Sequence, residues 1–416
     1  MGSHHNVCRQ IPKGTEDITG LAMREREYVL GEIKSIYEVF GFNPQHTPIL
    51  ENAMVFSGHH GAGEALLFKL SDKNDEQLVL RYDLTVPLAR VVSMYSDLPR
   101  PYKRYQIAQV FRDDKEDKGH FREFTQCDAD VVGATSLMCD AETIMMAYCG
   151  LKKLGFEDFT IRINHRAILM GIAEKIGLDK REAITILCRA IDGADKVTKD
   201  GIEGIVKDLK NNSIPTDYLT YLANLIVIDG SINHVMSELQ KQISNDLSLH
   251  GINELKEIFS YLSDDILEKV KIDISLARGA DYYTGFILEG VIHNSGIGAV
   301  LGGGRFDNLV SAFSDISEPA VGMAFGLDRI MIAMNDAGFL FRRHNDDRRI
   351  LAMAYSDCDR RILLRYIQPL RDSGVACNCL PIYEENMEII NDYAVKNGVN
   401  EIIICRDGAI EHLKLG

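Results

Sequence analysis

The sequence predicts an α+β fold: a largely antiparallel sheet domain, interrupted by a helical block, followed by a smaller α/β domain. Three observations lead there. Residues 105–111 and 121–132 both have strand character, and the stretch between them is almost wholly charged, which makes a long hairpin with a polar tip. From about 166 to 268 helical periodicity takes over, and strand character then returns. After residue 350 short apolar strands alternate with helices, the pattern of a parallel sheet.

Bulk properties narrow the function classes. At 416 residues the chain exceeds one ordinary core, and roughly two or three domains are expected. Apolar content of 46% and charged content of 26% match globular proteins, so an ordered fold is expected throughout. No apolar run reaches the roughly 20 residues of a spanning helix, and no leader pattern opens the chain, so a cytoplasmic protein without a membrane partner is expected. Met1-Gly2-Ser3-His4-His5 looks like an appended remnant, and residues 1–8 are set aside as a tail. The nine cysteines form no Cys-x-x-Cys pair, and Cys377 and Cys379 are too close for a zinc spacing, so free thiols and no metal site are expected. A net charge of -15 argues against indiscriminate nucleic-acid binding, although a local basic patch could still hold one shaped RNA.

Taken in order, residues 11–15 read as extended, and Leu30, Ile33, Ile36, Tyr37 and Phe40 recur at helical spacing within a helix over about 20–40, stopped by Gly41. Strands are expected at 66–70 and 77–81, then a helix over 84–94. In the second hairpin arm Arg122, Phe124, Gln126, Asp128 and Asp130 share one face, and Cys127, Ala129 and Val131 the other. One face suits a core and the other a polar ligand. A helix over 138–154, ended by Gly155, and a strand over 160–164 close the first part, residues 9–165. The helical block 166–268 carries loop punctuation at Gly193, 211–215 and Gly230. Strands at 271–276, 286–293 and 299–301 and a helix at 326–334 make a second part, 269–341. The charged residues 342–349 read as a linker. Strands at 350–355, 375–381 and 401–405, with helices at 360–373 and 386–397, fill the last domain, 350–416.

Arginines beside aromatic and acidic residues stand out: Arg112, Arg278 and Arg329 fall near strand ends or helix starts. Attack on ATP needs cations at the phosphates, and a planar guanidinium holds two phosphate oxygens at once. Each could equally be a surface ion-pair partner. Gly302-Gly303-Gly304-Arg305-Phe306-Asp307 reads as a tight turn or a close backbone approach to a ligand; it has neither the P-loop ending nor a dinucleotide spacing. Gly322 to Arg329 reads as small residues leading into a helix, either for packing or for an anion at the helix start.

These segments together resemble a known family. Phe111-Arg112 with Gly119-His120-Phe121-Arg122-Glu123-Phe124-Thr125-Gln126 is similar to motif 2 of class II aminoacyl-tRNA synthetases. Gly322-Met323-Ala324-Phe325-Gly326-Leu327-Asp328-Arg329 resembles motif 3, and Thr47-Pro48 the end of motif 1. Arg278-Gly279-Ala280-Asp281-Tyr282-Tyr283-Thr284, the Gly302–Asp307 run and Arg81-Tyr82-Asp83-Leu84-Thr85-Val86-Pro87 point to the histidyl branch, with support from 11–15, Asp17 and Asn164-His165-Arg166. The resemblance runs in order over about 9–410. It implies a class II catalytic sheet flanked by helices, a helical insertion and an anticodon-binding-like α/β domain. It also implies a homodimer that activates histidine with ATP and Mg²⁺ and transfers it to tRNA(His). Arg112 is then expected at the α-phosphate, Arg278 bridging that phosphate and the substrate carboxylate, and Arg329 at the γ-phosphate, with Asp114, His120 and Phe124 completing the ATP site. Asp83, Thr85 and Gln126 are expected to hold the amino group, Asp130 and Tyr283 the two imidazole nitrogens, and Tyr282 to line the pocket.

The chain departs from the family pattern at four places. His120 stands where an arginine is usual, which implies weaker or pH-sensitive ATP binding. Ala280 replaces a leucine, a change that either enlarges the pocket or is absorbed by repacking, and Phe286 replaces a nearby threonine. The last domain is expected to lack a final strand and helix, and Glu384-Glu385-Asn386-Met387-Glu388 is acidic where RNA contact favours lysine. Two alternatives to tRNA charging therefore stay open: a histidine-binding regulatory subunit of ATP phosphoribosyltransferase, and activation for a non-tRNA acceptor.

Overall fold

The computed structural model describes residues 9–56, 65–115, 119–177, 187, 206, 216–277, 282–314, 317–338, 348–380 and 386–415. The tail at 1–8, most of 178–215 in the helical block, Arg278 to Asp281, most of the linker and Glu384-Glu385 lie outside them. The chain divides into two compact units, Met1–Thr15 with Leu30–Ala333, and Glu16–Val29 with Met334–Gly416.

Elements up to Asp336 follow from the sequence in order. Helix α1 (Gly20–Val39) ends as expected at Gly41, whose φ of 80° a side chain would resist. Strands β1 (Asn43–Pro44) and β2 (Leu50–Asn52) and the short helix α2 (Ala53–Phe56) precede β3 (Lys69–Ser71), β4 (Gln77–Leu80) and α3 (Thr85–Met94). The hairpin is β5 (Tyr102–Phe111) and β6 (Glu123–Val132), paired from Tyr102 with Val132 to Phe111 with Glu123. Then come α4 (Met138–Lys153), β7 (Phe159–His165) and α5 (Arg166–Lys175). The described part of the helical block holds α6 (Leu219–Ile226), α7 (Ile232–Gln242), α8 (Asp246–Ser260) and α9 (Asp264–Leu267). Ser231 and Asn245 cap α7 and α8 by accepting from His234 N and Ser248 N. The sheet resumes with β8 (Val270–Ile272), β9 (Phe286–Ile292), β10 (Leu301–Arg305) and β11 (Ala320–Gly326), and α10 (Leu327–Asp336) follows directly.

Eight of these strands form one sheet in the order β1-β5-β6-β11-β10-β9-β7-β8, antiparallel except for the parallel edge pairs β1–β5 and β7–β8. The fold is α+β around this sheet. Its back is apolar. Cys127, Ala129 and Val131 of β6 are buried there, and Tyr37 of α1 lies against the rings of Tyr105 and Phe325 at 5.7 and 6.3 Å. Gly150 of α4 is a close approach: a β-carbon there would meet the Phe325 ring.

Several expectations need correction. The glycine run is no turn: Gly302, Gly303 and Gly304 sit inside β10, in the middle of the sheet. The small residues before Arg329 form strand β11 between β6 and β10, which the helix-leader reading missed. Strand character at 271–276 stops at Ile272, because Asp273 turns the chain by accepting from Ser275 N and Ser275 Oγ. The strand expected at 66–70 starts only at Lys69.

The smaller unit adds β12 (Arg349–Ala354), α11 (Asp357–Asp372), β13 (Ala376–Cys379), α12 (Met387–Lys396), β14 (Glu401–Arg406) and β15 (Ala409–Lys414). Its sheet runs β13-β12-β14-β15. Strands β13, β12 and β14 are parallel, as alternation implies, and the inner strand β12 buries both faces: Ile350 and Ala352 pack with Leu363 and Ile367, Leu351 and Met353 with Ile390 and Ala394. The antiparallel edge strand β15 was not foreseen, since its side chains are mostly exposed and carry no apolar alternation.

Buried arginines tie the larger unit together. Arg305 of β10 donates from Nε to Asp140 Oδ1 at 2.8 Å and from Nη2 to Asp140 Oδ2, while Nη1 reaches Asp307 Oδ1 at 3.1 Å. Arg305 and Asp140 are both buried, so removing one leaves an uncompensated charge. Arg305→Met should lower the unfolding free energy by about 3–5 kcal/mol, read from urea denaturation at pH 7. A midpoint within error of the parent would contradict this role.

Candidate active site

A cavity of about 560 Å³ opens on the front of the sheet, lined by β6, β9, β10, β11 and the segments around Asp83, Arg112 and Tyr282. Period-two alternation puts Phe124, Gln126, Asp128 and Asp130 of β6 on this side. Glycine floors it. Gly322 stands opposite Asp130 in the β6–β11 register, and a β-carbon there would lie 2.6 Å from Ala129 O and on top of the Asp130 carboxylate. Gly302, in register with Ala324 and so with Asp128, has open space before it, its β-carbon position meeting nothing nearer than Leu288 O at 3.8 Å. Side chains at these places would fill the cavity or push its strands apart.

At one end sit two guanidinium groups. Arg112, just past β5, has its Cζ 4.2 Å from the Tyr82 ring centroid and 5.0 Å from that of Phe124, and its Nε donates to Tyr82 O at 3.3 Å. The aromatic pair holds the fork face-on without neutralising it. Arg329, in the first turn of α10, donates from Nη1 to Ala299 O at 2.7 Å and from Nε to Gly119 O at 3.3 Å, and its Nη2 lies 2.7 Å from His120 Nε2. Because a guanidinium only donates, His120 receives that contact on an unprotonated Nε2. Asp328 accepts from Thr125 N at 3.0 Å and fixes the start of α10 against β6. Arg122 N donates to Gly14 O at 2.8 Å, so the 11–15 segment braces the hairpin.

At the other end are acids and phenols. Asp83 Oδ1 accepts from Val86 N at 3.0 Å, and Thr85 Oγ1 lies 3.5 Å from Asp128 Oδ2. Tyr282 and Tyr283 pack edge-to-face at 5.0 Å and both contact Phe306. Arg104 of β5, wholly buried, places Nη2 2.7 Å from Asp130 Oδ2 and donates to Leu84 O at 3.0 Å. The two meet as an ion pair, and Oδ2 accepts no hydrogen bond among the described residues. Burial pushes the Asp130 carboxyl up to about 6, with Arg104 opposing and Asp83 adding repulsion. Burial also holds Asp128 well above the carboxylate range, and it raises the Tyr282 and Tyr283 hydroxyls so that both stay protonated and able to donate.

The cavity brings together Asp83, Thr85, Arg112, Asp114, His120, Phe124, Gln126, Asp130, Tyr282, Tyr283 and Arg329. Arg278 lies outside the described residues, but both flanks of its segment are fixed from one place. Asn164 Nδ2 donates to Ile274 O at 3.3 Å and Leu276 O at 3.0 Å; Arg166 donates from N to Gly285 O at 2.9 Å and from Nε to Tyr283 O at 3.3 Å. His165 between them accepts from Ala167 N on Nδ1, so its Nε2 carries the proton shared with Glu254 Oε2 at 2.7 Å. Sequence reasoning missed Tyr82, Asp128, Arg104 and Arg81 as parts of the site. Arg81 is a strut, donating to Gln109 O at 2.7 Å and Thr47 O at 2.8 Å. Asp128 could have been found, since the strand alternation already faced it toward the ligand side. Among the described residues no three His, Cys, Asp or Glu side chains cluster as a metal cage, and no helix is long and apolar enough to cross a membrane.

Comparison with known proteins gives the family. The family described as histidyl-tRNA synthetase matches residues 14–330. A curated relative named histidine--tRNA ligase from Cytophaga hutchinsonii is 36% identical over 397 residues, covering 89% of this chain and 86% of its own. One of the same name from Korarchaeum cryptofilum is 34% identical, covering 94% and 90%. A solved histidyl-tRNA synthetase from Nostoc sp. PCC 7120 has the same fold, with a TM-score of 0.81 at 24% identity over 98% of this chain and 97% of that one. A Bacillus halodurans chain described as an ATP phosphoribosyltransferase regulatory subunit/histidyl-tRNA synthetase shares it too, with a TM-score of 0.78 at 21% identity over 95% and 98%. A family match over most of the chain, with relatives of this identity along nearly its whole length, places the chain in the histidyl-tRNA synthetase family.

Proposed function

We propose that the protein is a histidine–tRNA ligase: it joins histidine to AMP from ATP with release of pyrophosphate, then moves the histidyl group to tRNA(His). The observation that carries this reading is the polarity of the cavity. Arg112 packs on Phe124, while Asp130 lies six residues further along β6, roughly 20 Å away at the usual strand rise. A polyphosphate suits the arginine end and an amino acid with a two-nitrogen ring the acid and phenol end.

In this reading Arg112 takes the α-phosphate and Arg329 the γ-phosphate, with Asp114, His120 and Phe124 around the nucleotide. Asp83, Thr85 and Gln126 hold the ammonium, Tyr283 and Asp130 take one ring nitrogen each, and Tyr282 walls the pocket. Arg278 bridges carboxylate and phosphate. The carboxylate itself attacks, so the protein positions reactants and stabilises charge on the leaving pyrophosphate instead of supplying a nucleophile. Mg²⁺ arrives with ATP and is held chiefly by phosphate oxygens. A ring lacking an N–H leaves buried groups unpaired, which is the basis of discrimination.

Residues 9–165 and 269–341 are the catalytic body in this reading, 166–268 an insertion and 350–416 the anticodon-reading domain. Exposed Ile49, Leu50 and Met54 near the motif 1 segment support a homodimer through that region. A ligase feeding translation works in the cytoplasm. Histidine-dependent ATP–pyrophosphate exchange, followed by transfer to a tRNA pool, tests the assignment; exchange that ignores histidine would refute it. Arg112→Ala should lower kcat/KM for exchange by about 10²–10³-fold. Gly322→Ala should raise the KM for histidine while leaving that for ATP near the parent value, because its methyl meets the Asp130 carboxylate; equal effects on both would count against the division of the cavity.

A further inference from the structure

Three acceptor oxygens on the cavity face of β6 are buried and make no hydrogen bond among the described residues: Gln126 Oε1, Asp128 Oδ1 and Asp130 Oδ2, the last 2.7 Å from Arg104 Nη2. Asp128 is 2% exposed, lines the cavity and stands between the two neighbours that take substrate in the reading above. A buried acceptor without a donor is costly unless a ligand or a proton meets it. The charge around it is unbalanced. Asp83, Asp128 and Asp130 lie together, and the cations near Asp128 are Arg104, which contacts Asp130 and Leu84 O and has no acceptor on Nε or Nη1 among the described residues, Arg112 at the phosphate end, and Arg81, which donates to the Gln109 and Thr47 carbonyls. From the loop before β9, Tyr282 and Tyr283 face the same acids as neutral donors, and Tyr37 of α1 is the phenol on the far side of the strand. Burial and mutual repulsion disfavour three anions there in the free protein.

We propose that Asp128 is a third acidic group of the amino-acid subsite, that it keeps its proton while the subsite holds no cation, and that it releases that proton to solvent when the substrate's ammonium enters. This rests on the ligase reading and adds to it. Substrate loading becomes an exchange of one positive charge for another: the carboxyl O–H bond breaks, the proton passes to buffer, and the new carboxylate faces the ammonium N–H groups. The direction of the Asp128 and Asp130 shifts fits a protonated free state.

Isothermal titration of the full-length protein with histidine at pH 7.5, in buffers of different ionisation enthalpy, counts protons directly. The parent should release close to one proton per histidine, and Asp128→Asn should release close to none. The variant should bind histidine roughly tenfold more weakly at pH 7.5. That gap should close as pH falls, because the parent carboxyl then stays protonated in the complex and resembles the amide. Infrared difference spectra of the parent alone should lose a protonated-carboxyl carbonyl band on histidine addition, a readout independent of how the variant folds. Histidine binding with no proton release, or equal release from parent and variant, overturns the proposal and leaves the ligase reading standing. No histidine binding by the folded parent overturns both.

Discussion

The pairing of Asp130 with Gly322 across β6 and β11 is the constraint on which the rest of the site depends. A sheet normally covers both faces with side chains. Here one face is apolar and packed under α1 and α4, while the other must stay hollow and polar. Glycine at 322 and 302, in register with Asp130 and Asp128, removes the side chains that would close the front, and the carboxylate at 130 occupies the room so made. Once that acid is buried in mid-sheet, Arg104 from the neighbouring strand has to lie beneath it, itself wholly buried. The surrounding framework, Arg305 with Asp140, Arg81 with the Thr47 and Gln109 carbonyls, then keeps the strand ends from drifting.

The two ends of the cavity solve opposite electrostatic problems. At the phosphate end, positive charge is left available by stacking Arg112 on aromatic rings. At the amino-acid end negative groups are crowded until burial raises them, so the unloaded site holds protons and strong donors, and a cation can displace them. Asn164 and Arg166 connect this end to the helical block, gripping both flanks of 278–281 while His165 reaches Glu254 of α8.

Much of this was legible in the sequence wherever a pattern maps onto one element. The alternation of Cys127, Ala129 and Val131 with Gln126, Asp128 and Asp130 carried both the strand and its two faces. Helix α1 was readable from its apolar spacing and from Gly41. What escaped notice had local chemistry overruled by its neighbours. Gly302 to Gly304 and Gly322 disfavour strands taken alone, yet they lie in central strands because a side chain there would enter the cavity or strike the neighbouring strand. Strand β15 is an exposed edge with no apolar rhythm. Arg81, Arg104 and Arg305 are buried structural cations, whereas an arginine in a sequence reads most readily as a ligand group or a surface charge.

The seating of Arg112 against Tyr82 and Phe124 has an entropic side. A free arginine side chain samples many rotamers, and freezing one costs up to about 2 kcal/mol. Seated against two rings and tied through Nε to a backbone carbonyl, this one loses that freedom when the chain folds, before any nucleotide arrives. A phosphate therefore meets a fork already set in one orientation, and the ordering that would have weakened its binding is carried by the fold's own stability instead.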